Sequence, residues 1–378
     1  MKPLAALAAL TLVIQLQAQA LPRTQAFSLP NGLKVFLLED HERPLIRARL
    51  HLLLDRASGA LRPGLGPLAL RMLEHSDAGN LKAGDFHQLL AGAGIELAPS
   101  LRADGLAWDL VARSRDQDLA LGMLADRVLR PIFDPSILEA QRLACWREVE
   151  RAEASPSPLK RHLAPEPNWT LQAPTLDGLA AITYEDLLAF HSRMSRPDRA
   201  VLLLHGDLGR EQARRLIFQT FGTWTALPAP ATSVAPTAPA PGPGPEAEAL
   251  LALLLHGDPA LLPVRFRMEG SGPMATLEVG TSGPAAAASV MLERLQALRR
   301  RGFTEADLHR ARAAWSAGRA LVALHPEALL DQALAEARGS AATPARMEAL
   351  TVEALNGELQ RWLDPARLQP GALPASGR

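Results

Sequence analysis

The chain has 378 residues, 48% of them hydrophobic and 21% charged, and its 40 Lys and Arg balance 40 Asp and Glu to give no net charge. That balance excludes a disordered polyelectrolyte and a polybasic nucleic-acid binder, and it leaves no field steering the protein to phosphates or anionic lipid. A single cysteine, Cys145, excludes internal disulfides and thiolate metal clusters.

Residues 1–20 place Lys2 before an apolar run from Leu4 to Leu16 and end in Ala18-Gln19-Ala20. This is the pattern of a cleaved secretory signal, with an apolar stretch too short to span a bilayer. The mature chain is therefore expected to start near Leu21 and to be periplasmic or secreted, with no membrane span. A lone Cys in an oxidising compartment reads as a small buried hydrophobe. Residues 27–40 alternate apolar and polar around Asn31-Gly32, a strong hairpin signal, and a second apolar run covers Leu45–Leu54. At 62–76 the period changes: Leu65, Leu68, Ala69, Met72 and Leu73 recur at helical spacing, with Pro67 in the first turn. A helix at 83–92 leads into strands at 94–99 and 106–113, followed by helices at 115–130 and 135–155. Thr183 caps a helix running to Met194, Ala200–Leu204 is an apolar strand, and a helix covers 209–220.

Residues 226–246 are almost entirely Ala, Pro, Gly, Thr and Ser, from which no core can be built. They read as an extended linker with a reach on the order of 60 Å. Beyond it come a helix at 245–255, strands at 263–269 and 273–280, and helices from 284 to 363. Strands and helices on both sides of the linker predict an α+β protein of two domains, 21–225 and 247–368, with 369–378 as a disordered tail. The hexapeptide LLLHGD occurs at 202–207 and 253–258 in different contexts, a coincidence rather than a repeat.

Phe27-x-Leu-x-Asn31-Gly32-Leu-x-Val35 is followed by Arg71-Met72-Leu73-Glu74-His75. This order resembles the pitrilysin/insulinase zinc peptidases, whose metal motif is H-x-x-E-H. In the family's order come Arg130-Pro131-Ile132-Phe133-Asp134, Ile182 to Leu187, Arg196-Pro197, and Leu204-His205-Gly206-Asp207. Gly302-Phe303-Thr304-Glu305 and Leu363-Asp364-Pro365 fit its second domain. The resemblance implies two related domains, each a mixed sheet flanked by helices, the second abbreviated. It also implies that His75 and Glu148 stand at zinc-ligand positions, Glu74 at that of the catalytic base and Gln141 at that of an auxiliary carboxylate.

Three departures from the family pattern set the functional expectation. First, Arg71 stands where the first ligand His belongs. A guanidinium has no lone pair to offer and stays protonated. At about 5 Å and an effective dielectric near 20 it repels a dication by roughly 7 kcal/mol. The expectation is that Arg71 takes the metal's place, held by Glu148 and Glu74, and that no cofactor is bound. Second, the family adds its peptide to a sheet edge, and the matching segment here, Leu97-Ala98-Pro99-Ser100, lacks a donor at Pro99. Third, the family's second domain supplies a substrate-contacting Arg and Tyr, whereas Tyr184 is the one tyrosine of this chain. His51, His87 and His191 are isolated and read as structural, as do Trp108, Trp146, Trp224 and Trp315. Asn168-Trp169-Thr170 matches a glycosylation sequon and carries little weight.

The leading expectation is a secreted non-catalytic homologue that forms a hetero-oligomer with an active family peptidase. One alternative is a stand-alone peptide-binding or scaffold module. The other is a weak zinc metallopeptidase, with His75, Glu148 and a recruited residue as ligands and Glu74 as base.

Overall fold

The computed structural model describes residues 24–53, 62–102, 105–154, 160–163, 174–226, 249–251, 254, 264–269, 276–281, 286–322, 325–337 and 342–363. The expected signal sequence, Asn168, residues 227–246 of the linker and the tail lie outside them.

Strands β1 (Gln25–Ser28) and β2 (Lys34–Glu39) form the hairpin that Asn31-Gly32 predicts, Ser28 pairing with Lys34. Gly32 takes φ +95°, a conformation that favours glycine, and the Asn31 amide donates to the carbonyls of Phe221 (2.8 Å) and Trp224 (3.0 Å). The chain continues through β3 (Leu45–Leu53), α1 (Leu65–His75), β4 (Asp77–Ala78), α2 (Ala83–Ala93), β5 (Glu96–Arg102) and β6 (Gly105–Arg113). Next come α3 (Gln117–Leu129), β7 (Pro131–Ile132), α4 (Leu138–Ala154), β8 (Lys160–Leu163) and α5 (Leu176–Ala181). Then α6 (Tyr184–Met194), which opens with a complete capping box between Thr183 and Asp186, precedes β9 (Ala200–Gly206) and α7 (Arg210–Phe221). The second half contains β10 (Val264–Glu269), β11 (Thr276–Thr281), α8 (Ala286–Arg301), α9 (Glu305–Val322), α10 (Pro326–Ala337), α11 (Pro344–Ala349) and α12 (Val352–Trp362).

The first half carries a six-stranded mixed sheet in the order β1-β2-β9-β3-β6-β5, with β2 and β9 parallel and the other neighbours antiparallel. Alternation along each strand sorts its side chains between two faces. Ile46, Ala48, Leu50 and Leu52 of β3 join Leu106, Trp108 and Leu110 of β6 and Leu202 and Leu204 of β9 in one core, sealed by the helices of the first half. On the other face Leu38, Val201 and Leu203 bury against Leu329, Leu330, Ala333 and Leu334 of α10. Covered on both faces, β9 has every residue buried, which is why its sequence is an unbroken apolar run. At its end a side chain on Gly206 would run into the Leu45 carbonyl, and φ there is +128°.

The α10 face also contains charge. Arg49, 3% exposed, pairs with Asp109 of β6 and with Asp331 of α10, and Arg102 of β5 reaches the same two carboxylates at 3.9 and 3.4 Å. Alternating signs give the buried Arg49 guanidinium two carboxylate partners while tying two strands of the first half to a helix of the second. The second half has its own helical core, in which Leu250, Leu295, Phe303, Leu355, Leu359 and Trp362 are buried. Its small sheet runs β10-β11-β8, so its third strand comes from before residues 226–246, from a four-residue segment too short to carry a strand period of its own.

Candidate functional site

Helix α1 buries the stripe its period predicts, Leu65, Leu68, Ala69, Met72 and Leu73, and carries Arg71, Glu74 and His75 elsewhere on its surface. Its C-terminus is fixed from outside. Arg127 of α3, 1% exposed, donates to the carbonyls of Leu73 (2.8 Å) and Ser76 (2.6 Å), and its guanidinium lies 3.9 Å from the Phe86 ring centroid. These carbonyls are among those a helix leaves unsatisfied at its end, so a cation there stabilises both the bonds and the helix dipole. Burial pushes the Arg127 pKa down to about 10, which leaves it protonated at neutral pH.

Helix α4 packs beside α1 with Leu138, Cys145 and Val149 buried. Arg142 anchors it by donating to the carbonyls of Leu179 and Ile182. Neither Arg127 nor Arg142 stood out in sequence as a positioning group. The available signal was Arg127 within an apolar helix, between Leu124 and Val128, where a charged residue needs carbonyl or carboxylate partners.

This packing brings Arg71 and Glu148 together. Arg71 Nη1 donates to Glu148 Oε1 at 2.8 Å across the two helices, the guanidinium side chain 27% and the carboxylate 55% exposed. The expected second partner does not join them: no ion pair forms between Arg71 and Glu74. The Glu74 charge instead acts on Arg127 and His75, because it sits towards the end of α1 that Arg127 closes. Burial lowers the His75 pKa, with Arg71 reinforcing and Glu74 opposing the shift. Gln141 of α4 has a buried amide oxygen without a protein hydrogen-bond partner. Cys145 lies within the field of Arg71 and Glu148, but burial raises its thiol pKa to about 11, so it presents no thiolate.

The remaining candidates disperse. His191 is buried and its Nε2 meets the Val128 carbonyl at 3.0 Å; His87 Nδ1 meets the Ala83 carbonyl at 2.7 Å; His51 lies buried on β3. Tyr184 donates to the Phe133 carbonyl at 3.1 Å, a structural bond. The β5 segment with Pro99 is an edge of the six-stranded sheet, next to α1. Pro99 pairs with Trp108 across a ladder to which it cannot donate, so its nitrogen must face the open edge. A peptide added there would find no donor at the centre of the edge.

Comparison with known proteins bears on the fold. A family model described as the peptidase M16 inactive domain matches residues 181–250, a stretch that holds α6, β9 and α7 but none of Arg71, Glu74, His75 or Glu148. No curated protein matches the chain. A protease from Helicobacter pylori superposes with a TM-score of 0.68 at 14% identity, over 91% of this chain and 98% of that one. A peptidase M16 inactive domain from Pseudomonas fluorescens gives 0.65 at 18% identity, over 91% and 95%. The fold is that of the M16 peptidases. The periplasmic protease PqqL from Escherichia coli matches at TM-score 0.63 and 14% identity, over 90% of this chain but 44% of its own length.

A zinc ion is the metal that an M16-like fold implies, and the residues present do not fit one. Among the described residues no three His, Cys, Asp or Glu side chains converge so as to hold a metal ion. Glu148, the best-placed oxygen donor, is already engaged by a permanent cation.

Proposed function

We propose that this M16-like protein is a non-catalytic subunit, exported to the periplasm, that assembles with an active M16 peptidase. The observation that carries the reading is the 2.8 Å ion pair from Arg71 to Glu148. By the resemblance to the H-x-x-E-H peptidases these are the first ligand position and the distal one, so on this reading one cation replaces another and the helix packing survives without the chemistry. Glu74, His75 and Gln141 are then remnants of the base, ligand and auxiliary positions. Pro99 on the β5 edge and the absence of any tyrosine after Tyr184 support the loss of substrate handling as well. Export rests on residues 1–20, and it agrees with the described residues, among which no helix is long and apolar enough to cross a membrane.

Isolation of the protein from its own organism, with identification of co-purifying chains and elemental analysis, tests this directly. The expected result is an H-x-x-E-H protein in the complex and no zinc on this chain. Recovery of the chain alone would favour a stand-alone scaffold. Stoichiometric zinc that disappears in His75→Ala would overturn the reading. Arg71→His is expected to introduce metal binding with little peptide hydrolysis.

A further inference from the structure

We infer that Lys160–Leu163 is a strand donor, and that the second half's sheet is built to be completed by this extended segment from the first half. Two strands, β10 and β11, are all that the described residues of the second half contribute to that sheet, and a two-stranded hairpin is marginal in water. The free edge of β11 is taken by β8 in antiparallel register, Leu163 opposite Leu277 and Lys160 opposite Gly280.

The sequence around β8 bears on this independently of the topology. Ser155-Pro156-Ser157-Pro158 precedes it and Pro165-Glu166-Pro167 follows. Proline has no N–H to give a ladder, so the stretch able to pair is bounded to Leu159–Ala164, and β8 falls inside it. Within that stretch Lys160, Arg161 and His162 are the residue types that blunt an edge against recruiting a further strand. A short strand, closed off by proline on both sides and rich in positive charge, is suited to add once and stop. The partner this edge of β11 fits is therefore about six residues of extended backbone running antiparallel to it. It follows that the linker divides the chain but not its sheets, and that the second half depends on the first for its fold.

Hydrogen exchange on the full-length chain tests the proposal, using a variant with Lys160–Leu163 replaced by Gly-Ser-Gly-Ser and the single variants Arg161→Pro and His162→Pro. In the Gly-Ser variant the β11 amides should exchange on the order of 100-fold faster, while β2, β3, β6 and β9 keep their protection. Because neighbouring N–H groups alternate between the two sides of a strand, one proline should reproduce this effect and the other should largely spare it. Wild-type exchange of β11 in the Gly-Ser variant would overturn the proposal. So would a loss spread equally through the six-stranded sheet in all three variants.

Discussion

The two faces of the six-stranded sheet are made from the same strands but are held by different physics. The face towards the first half's helices is apolar at its centre, with Leu50, Trp108 and Leu202 each at most 2% exposed. The face towards α10 mixes a small apolar patch with the Arg49–Asp109–Asp331–Arg102 cluster. The first is a core assembled from one continuous stretch of chain. The second is a contact between halves, where hydrophobic contact supplies the area and paired charges fix which helix docks and at what position. Ion pairs of that kind add specificity more readily than stability.

Adjacent residues of β9 give the sharpest test, since Leu202 belongs to the first face and Leu203 to the second. Leu202→Ala should cost about 3–4 kcal/mol of global stability in denaturant melts. Leu203→Ala should cost about 2 kcal/mol, with the loss of protection concentrated in α10 rather than in the helices of the first half. Equal effects with the same spatial pattern would mean that the faces form one cooperative core. Asp331→Ala should cost about 1–2 kcal/mol, because Asp109 still serves both arginines and Asp331 is itself half exposed. Its effect should shrink when Asp109 is removed first, a coupling that a double-mutant cycle would measure.

The histidines sharpen the comparison through pH. Burial lowers the pKa of His191 on the helix side and of His205 at the β9 end, and it lowers that of His75. Groups with depressed histidine pKa values bind protons in the unfolded chain before the folded one does. Stability is therefore full above the unfolded value of about 6.5 and declines as the pH falls below it. His191→Gln, which retains a donor for the Val128 carbonyl, should flatten that decline in melts between pH 7 and 5. The smallest expected effect is that of Glu148→Gln, under about 1 kcal/mol, since its ion pair is more than half open to water on the carboxylate side.

Local patterns in the sequence were enough to place α1 and its buried stripe, the β1–β2 hairpin and the capped start of α6, because a helical period, Asn-Gly and a capping box act over a few residues. Strand ends were less legible: β5 begins at Glu96 rather than at 94 and runs on to Arg102, since pairing with β6 rather than composition determines where it stops. Arg71 drew attention through the resemblance to H-x-x-E-H. Arg127 did not, although it holds the end of the same helix, because its partners are backbone carbonyls that leave no mark in sequence. The role of β8 was equally hidden, since a four-residue strand carries too little pattern to announce a partner beyond the linker.

By itself, the amino-acid order determined that an always-charged side chain stands in α1 at the position the H-x-x-E-H resemblance gives to a ligand, that the β5 segment contains a proline, and that residues 226–246 are rich in Pro and Ala. Those are properties of single residues and short windows. Only the tertiary structure decided that Glu148, 77 positions away, is the partner of Arg71 while Glu74, three positions away, is not. The reason is geometric: the packing of α4 against α1, anchored by Arg142, aims a carboxylate at the guanidinium, whereas Glu74 stands nearer the end of α1 that Arg127 closes.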